Sequence, residues 1–260
     1  VEHCEDLNLP GLTDDRKTLI GPGLAILLAS FQMLGIEQMV YVDAALREGV
    51  LYEMSDRLQH HDIRTHTIQS LIKRYAVDLE QANRVNQAAQ RIFNQVKDDW
   101  HLDESWAELL QFAASVYEIG LQINSSSVQR HSAYILNNSN LPGFNQEQQR
   151  LLACLVRFHR RKIKVDDIPQ FYLFSNVEFH RVLCIFRMAV LLNQKRRDDL
   201  TPDIELKAQA SQLTLLLSEE WYQQHSVLAA DLAAEQQYLR RIDVQLECPG
   251  LPQDSIEELT

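Results

Sequence analysis

Apolar residues repeat at helical spacing along most of the chain. Between Leu79 and Val96 they recur every three or four positions, which predicts one long amphipathic helix. Similar patterns continue from about residue 56 to about residue 197, and polar breaks divide them into roughly six or seven helices. The breaks lie at residues 100–103, 120–127, 137–144 and 162–169. Capping-box pairs predict three helix starts: Asp78 with Gln81, Ser105 with Glu108, and Asn145 with Gln148.

The two ends of the chain combine helical and strand patterns. Near the start, an apolar helix is predicted from about Gly23 to Leu34, followed by a short strand around 39–42 and a helix that opens near Ala45. After Pro202, apolar and polar residues alternate in two runs, at 204–208 and 213–217, which predicts a β-hairpin. A helix at about 226–241 and a third strand near 242–246 follow.

These patterns divide the chain into four parts. Residues 1–54 are predicted to form a βαβ-type piece without its sheet, and residues 55–200 an all-α domain. A small α+β unit at 201–248 and a flexible acidic tail at 249–260 follow. The first piece is too small to bury both faces of its helix, so it should pack on the rest of the chain or expose an apolar patch.

Composition excludes several classes of function. With 260 residues, 45% of them hydrophobic, the chain can bury a sizeable core. A net charge of −11 argues against general nucleic-acid binding, which needs a basic surface. No run approaches about eighteen consecutive apolar residues, so no membrane span is expected. The four cysteines form no C-x-x-C pair and are expected to be reduced thiols in a cytoplasmic protein, and a start at Val1 without a signal-peptide pattern suggests a truncated piece.

A candidate phosphate site lies near the start of the chain. The basic pair Arg16 and Lys17 precedes Gly21-Pro22-Gly23, and Pro22 suits the first position of the helix predicted there. The start of a helix presents unpaired N–H groups and the positive end of its dipole to an anion. The alternative is a helix start that binds nothing, because Gly-Pro-Gly is a common turn.

Three stretches carry a resemblance to a known family. They are LPGLTDDRKTLIGPGLAILLASFQMLGI, VDAALREGVLYEM and RHSAYILNNSNLPGFNQEQQRLLACLVRFHRRKIK, which together resemble the C-terminal half of the exopolyphosphatase / guanosine pentaphosphate phosphatase family. The stretches IFNQVKDDWHL, LLNQKRRDDLTPDIEL and QLTLLLSEEWYQQHSVL are more similar to the guanosine pentaphosphate branch. The resemblance implies a mainly α fold: an HD-like helical domain that follows the end of the second actin-like α/β subdomain and precedes a small α+β unit.

The resemblance also implies where substrate binds and where catalysis occurs. Glycine-rich phosphate loops and a catalytic Glu belong to the actin-like half of the family, with Mg2+ as cofactor, and none of those loops occurs in this sequence. No catalytic residue is therefore assigned here. Positions that match Arg16, Gly21, Gly23 and Arg47 lie near the family's cleft, so both arginines are candidates for substrate phosphate. Alternatively, Arg47 is a surface charge beside Glu48 or part of an ion pair in the linker.

The helical region resembles HD-type phosphohydrolase domains, which bind a metal through a His-Asp pair and further histidines. Here the matching positions are Tyr117 and Glu118, so the pair is broken. His131 and His159 fall where later ligands would lie, but these groups make a poor metal site, and no metal ligand is assigned. The His60-His61-Asp62 segment is expected to lie on a solvated face.

A basic segment stands out in this acidic chain. Six basic or titratable residues fall within eight positions, and a second basic run covers residues 195–197. The members of the segment are Arg157, His159, Arg160, Arg161, Lys162 and Lys164. We expect Arg157, His159, Arg160 and Arg161 to form a groove for a polyanion, with the pKa of His159 rising when phosphate is near. The alternative is a solvated loop after a helix C-terminus, where basic residues are favoured by the dipole.

The sequence thus predicts part of an enzyme that converts pppGpp to ppGpp and also acts on polyphosphate, and that pairs as a homodimer without nucleic acid or membrane. Two alternatives stay open. One is a long-chain exopolyphosphatase with the same chemistry. The other is a non-catalytic module that binds an anion or a partner protein.

Overall fold

The computed structural model describes residues 12–39, 62–197 and 205–252. The chain divides into two compact units, residues 1–55 and 56–260. Helices dominate, and a three-stranded sheet lies near the C-terminus. The mainly α fold predicted from the sequence is therefore confirmed. The strand predicted at 40–42, the helix near Ala45, Arg47, Glu48, His60, His61 and the last eight residues of the tail lie outside the described residues.

In the first unit, one long helix, α1, runs from Asp14 to Leu34 and ends at Gly35, which has a φ of 63°. The predicted start at Gly23 is wrong, because Pro22 lies inside the helix instead of at its first position. Leu19 and Ile20 extend the apolar pattern upstream of Gly-Pro-Gly, and Asp14 and Asp15 occupy the first turn, where acidic residues favour a helix start. Met39 is irregular.

None of the side chains of α1 is buried. Large apolar residues such as Leu24, Ile26 and Met33 are more than half exposed, so the predicted apolar patch is confirmed. Among the described residues, α1 is also long and apolar enough to cross a membrane, by length and composition only. The expectation of no such segment is corrected, because a helix of 21 residues replaces a much shorter predicted one. One helix of this kind near the N-terminus is weak evidence for a membrane span.

Six α-helices lie within residues 62–197 of the second unit. They are α2 (Asp62–Arg74), α3 (Leu79–Val96), α4 (Glu104–Val116), α5 (Val128–Asn138), α6 (Gln146–Phe158) and α7 (Asn176–Leu192). Short 3-10 helices lie at Ile119–Gln122 and Val165–Asp167. The helix α7 lies in the core from Val182 to Leu192, where every residue is buried. Six α-helices in residues 62–197 agree with the predicted number of roughly six or seven, and α3 has the bounds expected for the long amphipathic helix.

Two of the three predicted helix starts are confirmed. Asn145 and Gln148 form a complete capping box at α6, with bonds of 2.8 and 3.2 Å between each side chain and the other's backbone N–H. Asp78 caps α3 by accepting a bond from the N–H of Gln81. At α4 the prediction is wrong, because Asp103 caps the helix in place of Ser105.

The C-terminal part builds a small sheet on the helices. Strands β1 (Glu205–Gln209) and β2 (Gln212–Leu216) form the predicted antiparallel hairpin, and β3 (Gln245–Glu247) pairs parallel to β2. Leu206, Ala208, Leu213 and Leu215 point to the core, as their alternation predicts. A parallel partner needs a crossover, which α8 (Glu219–Gln224), α9 (Ser226–Leu239) and a 3-10 turn at Arg240–Ile242 supply. The short α8 was not predicted.

Candidate functional site

The basic segment begins in the last turn of α6 and continues beyond it, where it presents four exposed cations, Arg160, Arg161, Lys162 and Lys164. Arg157 differs from them, because its guanidinium lies 5.3 Å from the centre of the Phe158 ring and is partly buried. Burial lowers the pKa of Arg157, and the neighbouring charge of Arg130 lowers it further. The basic segment predicted from the sequence therefore lies mainly on the surface, and its first residue, Arg157, is partly buried.

His159 ends α6 and is buried, with 3% of its surface exposed. Its ring meets those of Tyr117 and Phe186 edge to face, at centroid distances of 5.2 and 6.1 Å. Burial lowers the pKa of His159 to about 3, although its 2.6 Å hydrogen bond to the carbonyl of Val156 works in the opposite direction. His159 is therefore neutral, with the proton on Nδ1, because a carbonyl can only accept. The expected cationic role of His159 has no support in this geometry, and its contact with substrate stays a prediction.

A buried arginine fixes the backbone of the basic segment. Arg187, on α7, is 1% exposed and pairs with Glu235 on α9 through two hydrogen bonds. The same guanidinium donates to the carbonyls of Phe158 and Arg161, where the chain leaves α6. Arg161 has a φ of 63°, a left-handed conformation that this contact helps to hold. The pair between Arg187 and Glu235 therefore positions the exposed cations.

A polar cavity of about 270 Å³ lies beside the basic segment. It is lined by Gln81, Tyr117, Glu118, His159, Arg160, Val190, Gln194 and Arg196. The residues come from the start of α3 and from the C-terminal ends of α4, α6 and α7. Because helix C-termini carry partial negative charge, this arrangement favours cations and hydrogen-bond donors. The two arginines that line the cavity lie just beyond two of these helix ends.

Arg196 connects the rim of the cavity to two carboxylates. It donates to both oxygens of Glu118, at 2.6 and 2.8 Å, and to Asp78 at 2.8 Å. Partial burial works against the charge of Arg196, but Glu118 and then Asp78 outweigh it and raise its pKa. The lowered pKa of Asp78 follows first from its backbone bond to Gln81 and then from Arg196. On this side of the cavity, one guanidinium is therefore already engaged by two carboxylates.

The position of the HD-type metal pair lies in the wall of this cavity. Tyr117 is buried there and accepts a 3.1 Å hydrogen bond from Gln81, and burial raises its pKa. His131 does not line the cavity. In the described ranges, no three His, Cys, Asp or Glu side chains come together as metal ligands.

The segment after Tyr117 packs tightly against α5 at Gly120. A Cβ on Gly120 would lie 2.5 Å from the backbone nitrogen of Ser132 and 2.6 Å from the carbonyl of Val128. The N–H of Gly120 also donates to the Ser132 hydroxyl at 2.9 Å. The 3-10 helix after Tyr117 can therefore approach α5 only because residue 120 has no side chain.

In the first unit, the structure removes the reason for an anion site at Gly-Pro-Gly. Gly21 and Gly23 lie within α1, so the helix start that would offer free N–H groups is not there. Arg16 is exposed in the first turn, beside the acidic Asp14, which pairs with Lys17 at 2.8 Å. The helix start predicted at Gly21 to Gly23 is wrong, so the helix-start argument for an anion site no longer applies there. Contacts of Arg16, Gly21 and Gly23 with substrate stay predictions that rest on resemblance.

Several residues of this region were not singled out from the sequence. A charged residue inside an apolar run, as Arg187 is in CIFRMAVLL, indicates a buried charge that needs a partner. Nothing local indicates that the partner is Glu235, because 48 residues separate them. Gln81 looked only like a capping residue.

The comparison with known families agrees with the mainly helical fold. A model for domain III of the Ppx/GppA phosphatases matches residues 63–236, which is most of the second unit and well over half of the chain. A second model, for the Ppx/GppA phosphatase family, matches residues 1–58. The chain therefore belongs to the Ppx/GppA phosphatase family, whose members are phosphatases that hydrolyse phosphoric anhydrides.

Proposed function

We propose that this chain is part of a guanosine pentaphosphate phosphatase, which removes the terminal phosphate of pppGpp to give ppGpp and orthophosphate in the stringent response. Action on inorganic polyphosphate is included, because both substrates end in a phosphoric anhydride. The observation that carries the proposal is the match to two models of one family, in order, over most of the second unit and all of the first. The similarity of three stretches to the guanosine pentaphosphate branch supports pppGpp as the preferred substrate.

In this proposal, the 260 residues bind substrate and do not cut it. Hydrolysis needs phosphate loops and a carboxylate that activates water, and no glycine-rich loop of that kind occurs in the sequence. Arg16 and Arg47 bind phosphates near the cleft, and Arg160 and Arg161 guide the polyanion. Four exposed cations in a chain of net charge −11 give a local positive field that supports this role.

The cofactor of the enzyme is proposed to be Mg2+. This ion prefers an octahedron of oxygen ligands that includes carboxylates and substrate phosphate. The described residues do not fit it, since their nearest carboxylate pair at the cavity, Glu118 and Asp78, is already engaged by Arg196. We therefore assign no Mg2+ ligand to these residues and derive no step through the ion.

Assembly and location are part of the same proposal. The enzyme forms a homodimer through its helical region and acts in the cytoplasm, without binding nucleic acid or a membrane. The apolar surface of α1 is then covered by another part of the actin-like subdomain, which would explain why a helix with no buried side chain is so apolar.

The test compares the release of orthophosphate from pppGpp and from long-chain polyphosphate by the enzyme that contains this chain. We expect kcat/KM to favour pppGpp. A clear preference for polyphosphate would favour the long-chain exopolyphosphatase instead. The 260-residue chain should release no orthophosphate from either substrate, and turnover by the purified chain would overturn the division of roles.

The binding role of the basic segment has its own test. The double variant Arg160→Gln/Arg161→Gln removes two exposed charges and should raise KM for polyphosphate about tenfold, because charge-assisted contacts are lost. The matched control is Arg240→Gln/Arg241→Gln, an exposed arginine pair at the end of another helix. An equal effect of both double variants would show only a dependence on net charge.

A second candidate function is a non-catalytic binding module formed by the helical unit. The neutral His159 and the buried Tyr117 at the HD-type position favour it over an active HD hydrolase. Metal analysis of the purified chain tests the choice. About one equivalent of bound transition metal would instead favour an active HD hydrolase.

A further inference from the structure

Gln81 provides an unusual feature of the cavity wall. Its side chain is 2% exposed, and its amide nitrogen donates to the hydroxyl of Tyr117 and to the carbonyl of Asn193, at 3.1 and 2.9 Å. A carbonyl can only accept, so this contact fixes the orientation of the amide. The Oε1 atom is then left buried without a hydrogen-bond partner. An unpaired buried acceptor of this kind calls for a donor.

The neighbouring acceptors have the same character. His159 is neutral and bonded through Nδ1, which leaves Nε2 as an acceptor. The Glu118 carboxylate binds Arg196 but has further lone pairs. The C-terminal ends of α4, α6 and α7 add partial negative charge, and the opposing positive end, at the start of α3, is capped by the Asp78 carboxylate. The interior of the cavity therefore favours a neutral ligand with N–H donors and disfavours a phosphate group.

The rim offers the opposite chemistry. Arg160 is exposed, lines the cavity, and makes no ion pair with the residues that the structure describes. Arg161 and Lys162 continue the positive charge away from the cavity. A ligand that fits both regions has a neutral part with donors beside acceptors, and an anionic part outside.

We propose that this cavity binds the guanine base of a guanosine polyphosphate, with the phosphates on Arg161 and Lys162. Guanine presents N1–H and N2–H2 donors to Gln81 and Glu118, while its O6 and N7 accept from Arg160 in the bidentate manner typical of arginine. Adenine reverses this donor and acceptor pattern, because it has a donor at position 6 and an acceptor at N1. Its N1 would therefore face the acceptors of Gln81 and Glu118 without a hydrogen bond. The cavity of about 270 Å³ lies just below the usual size for small-molecule sites, and therefore suits a base with the phosphates outside.

This inference rests on the proposed function only for the class of nucleotide. All of the residues that line the cavity belong to the second unit, and no turnover is needed for binding. It would let the helical unit sense a guanosine nucleotide while hydrolysis occurs elsewhere.

The test is calorimetric titration of the 260-residue chain with GDP, ADP, ppGpp and tripolyphosphate. We expect GDP to bind about tenfold or more tightly than ADP, because the wrong base leaves buried polar groups unpaired. We expect ppGpp to bind more tightly than GDP, with a steeper loss of affinity as salt is added, because it carries more phosphates.

Variants locate the site. Arg160→Gln, at an exposed position, should weaken GDP binding about tenfold, and Arg241→Gln is the matched control that should leave it unchanged. Gln194→Leu, which is also exposed at the rim, is a second variant that should weaken GDP binding without disturbing the core. Circular dichroism confirms that each variant is folded.

Equal affinity for GDP and ADP, or GDP affinity unaffected by Arg160→Gln, would overturn the inference. Complete competition by tripolyphosphate with no base preference would show that the segment binds phosphate alone. Failure of the proposed function is a different result: an enzyme that prefers long polyphosphate, while its chain still selects GDP over ADP, would refute the substrate assignment and leave the guanine site intact.

Discussion

The buried ion pair between Arg187 and Glu235 should stabilise the fold strongly, and its burial sets the size of the effect. In Glu235→Gln the side chain keeps its shape but loses its charge, so the Arg187 guanidinium, 1% exposed, stays in the core without an anion. Removal of one member of a buried pair costs about 3–5 kcal/mol. In a chain of this size each kcal/mol lowers Tm by about 2–4 °C, so Tm should fall by about 6 °C or more.

Thermal and urea unfolding, followed by far-ultraviolet circular dichroism, measure this effect. The matched control is Glu205→Gln, because Glu205 forms an exposed pair with Lys207 at 3.1 Å and should change stability by less than about 0.5 kcal/mol. A fall in Tm of less than about 2 °C for Glu235→Gln would refute the reasoning, since the pair would then stabilise the fold no more than a surface pair does.

A double replacement separates charge from packing. Arg187→Met/Glu235→Leu removes both charges, and well-packed apolar replacements of buried pairs are often neutral. Here the carbonyls of Phe158 and Arg161 also lose a donor. The double variant should therefore be more stable than Arg187→Met alone and less stable than the parent chain.

Three further predictions concern single sites. Gly120→Ala should cost several kcal/mol, about 3 or more, because its Cβ would meet backbone atoms that cannot move aside. For His159, the folded pKa of about 3 lies below the unfolded value of about 6.5, so only the unfolded chain takes up the proton in acid and stability falls as pH drops below 6.5. His159→Gln should abolish about 2 kcal/mol of that loss between pH 6.5 and 4.5, measured by urea unfolding. Asn145→Ala should cost about 1 kcal/mol by removing the capping box.

Each of these has a control within the chain. Gly23→Ala should not destabilise, since no atom lies within 4 Å of its added Cβ and alanine favours a helix. Ser175→Ala, at a helix start where the side chain makes no capping bond, should be nearly neutral. An equal loss of stability for Gly120→Ala and Gly23→Ala, or for Asn145→Ala and Ser175→Ala, would contradict the geometry. Identical acid sensitivity of the parent chain and His159→Gln would show that His159 is not the group responsible.

The sequence predicts the regular parts of the fold because their signals are redundant. In α3, apolar residues at 3.6-residue spacing and the cap at Asp78 agree, and in the hairpin every second residue is apolar. Where two local signals compete, the prediction fails. The Gly-Pro-Gly turn suggested a helix start, but the apolar run on both sides of it made one longer helix. At α4 the sequence analysis selected Ser105, but Asp103, two residues earlier, is also of a capping type and is the residue that caps the helix.

The site shows where sequence reasoning stops. The basic segment was visible as a cluster of charges, but a cluster of letters does not show that His159 points into the core. Its neutrality follows from contacts with Tyr117 and Phe186, which are distant in sequence. The cavity itself is formed by the ends of four helices, so it exists only once the helices are packed.

The bare apolar surface of α1 has a practical consequence for work with the purified chain. Leucine, isoleucine and methionine side chains gain free energy when they leave water, at about 25 cal/mol per Å². Unless another surface covers α1, the chains will self-associate through this helix as their concentration rises, and mild detergent will dissociate them. Light scattering over a dilution series should therefore precede any measurement that assumes a single species.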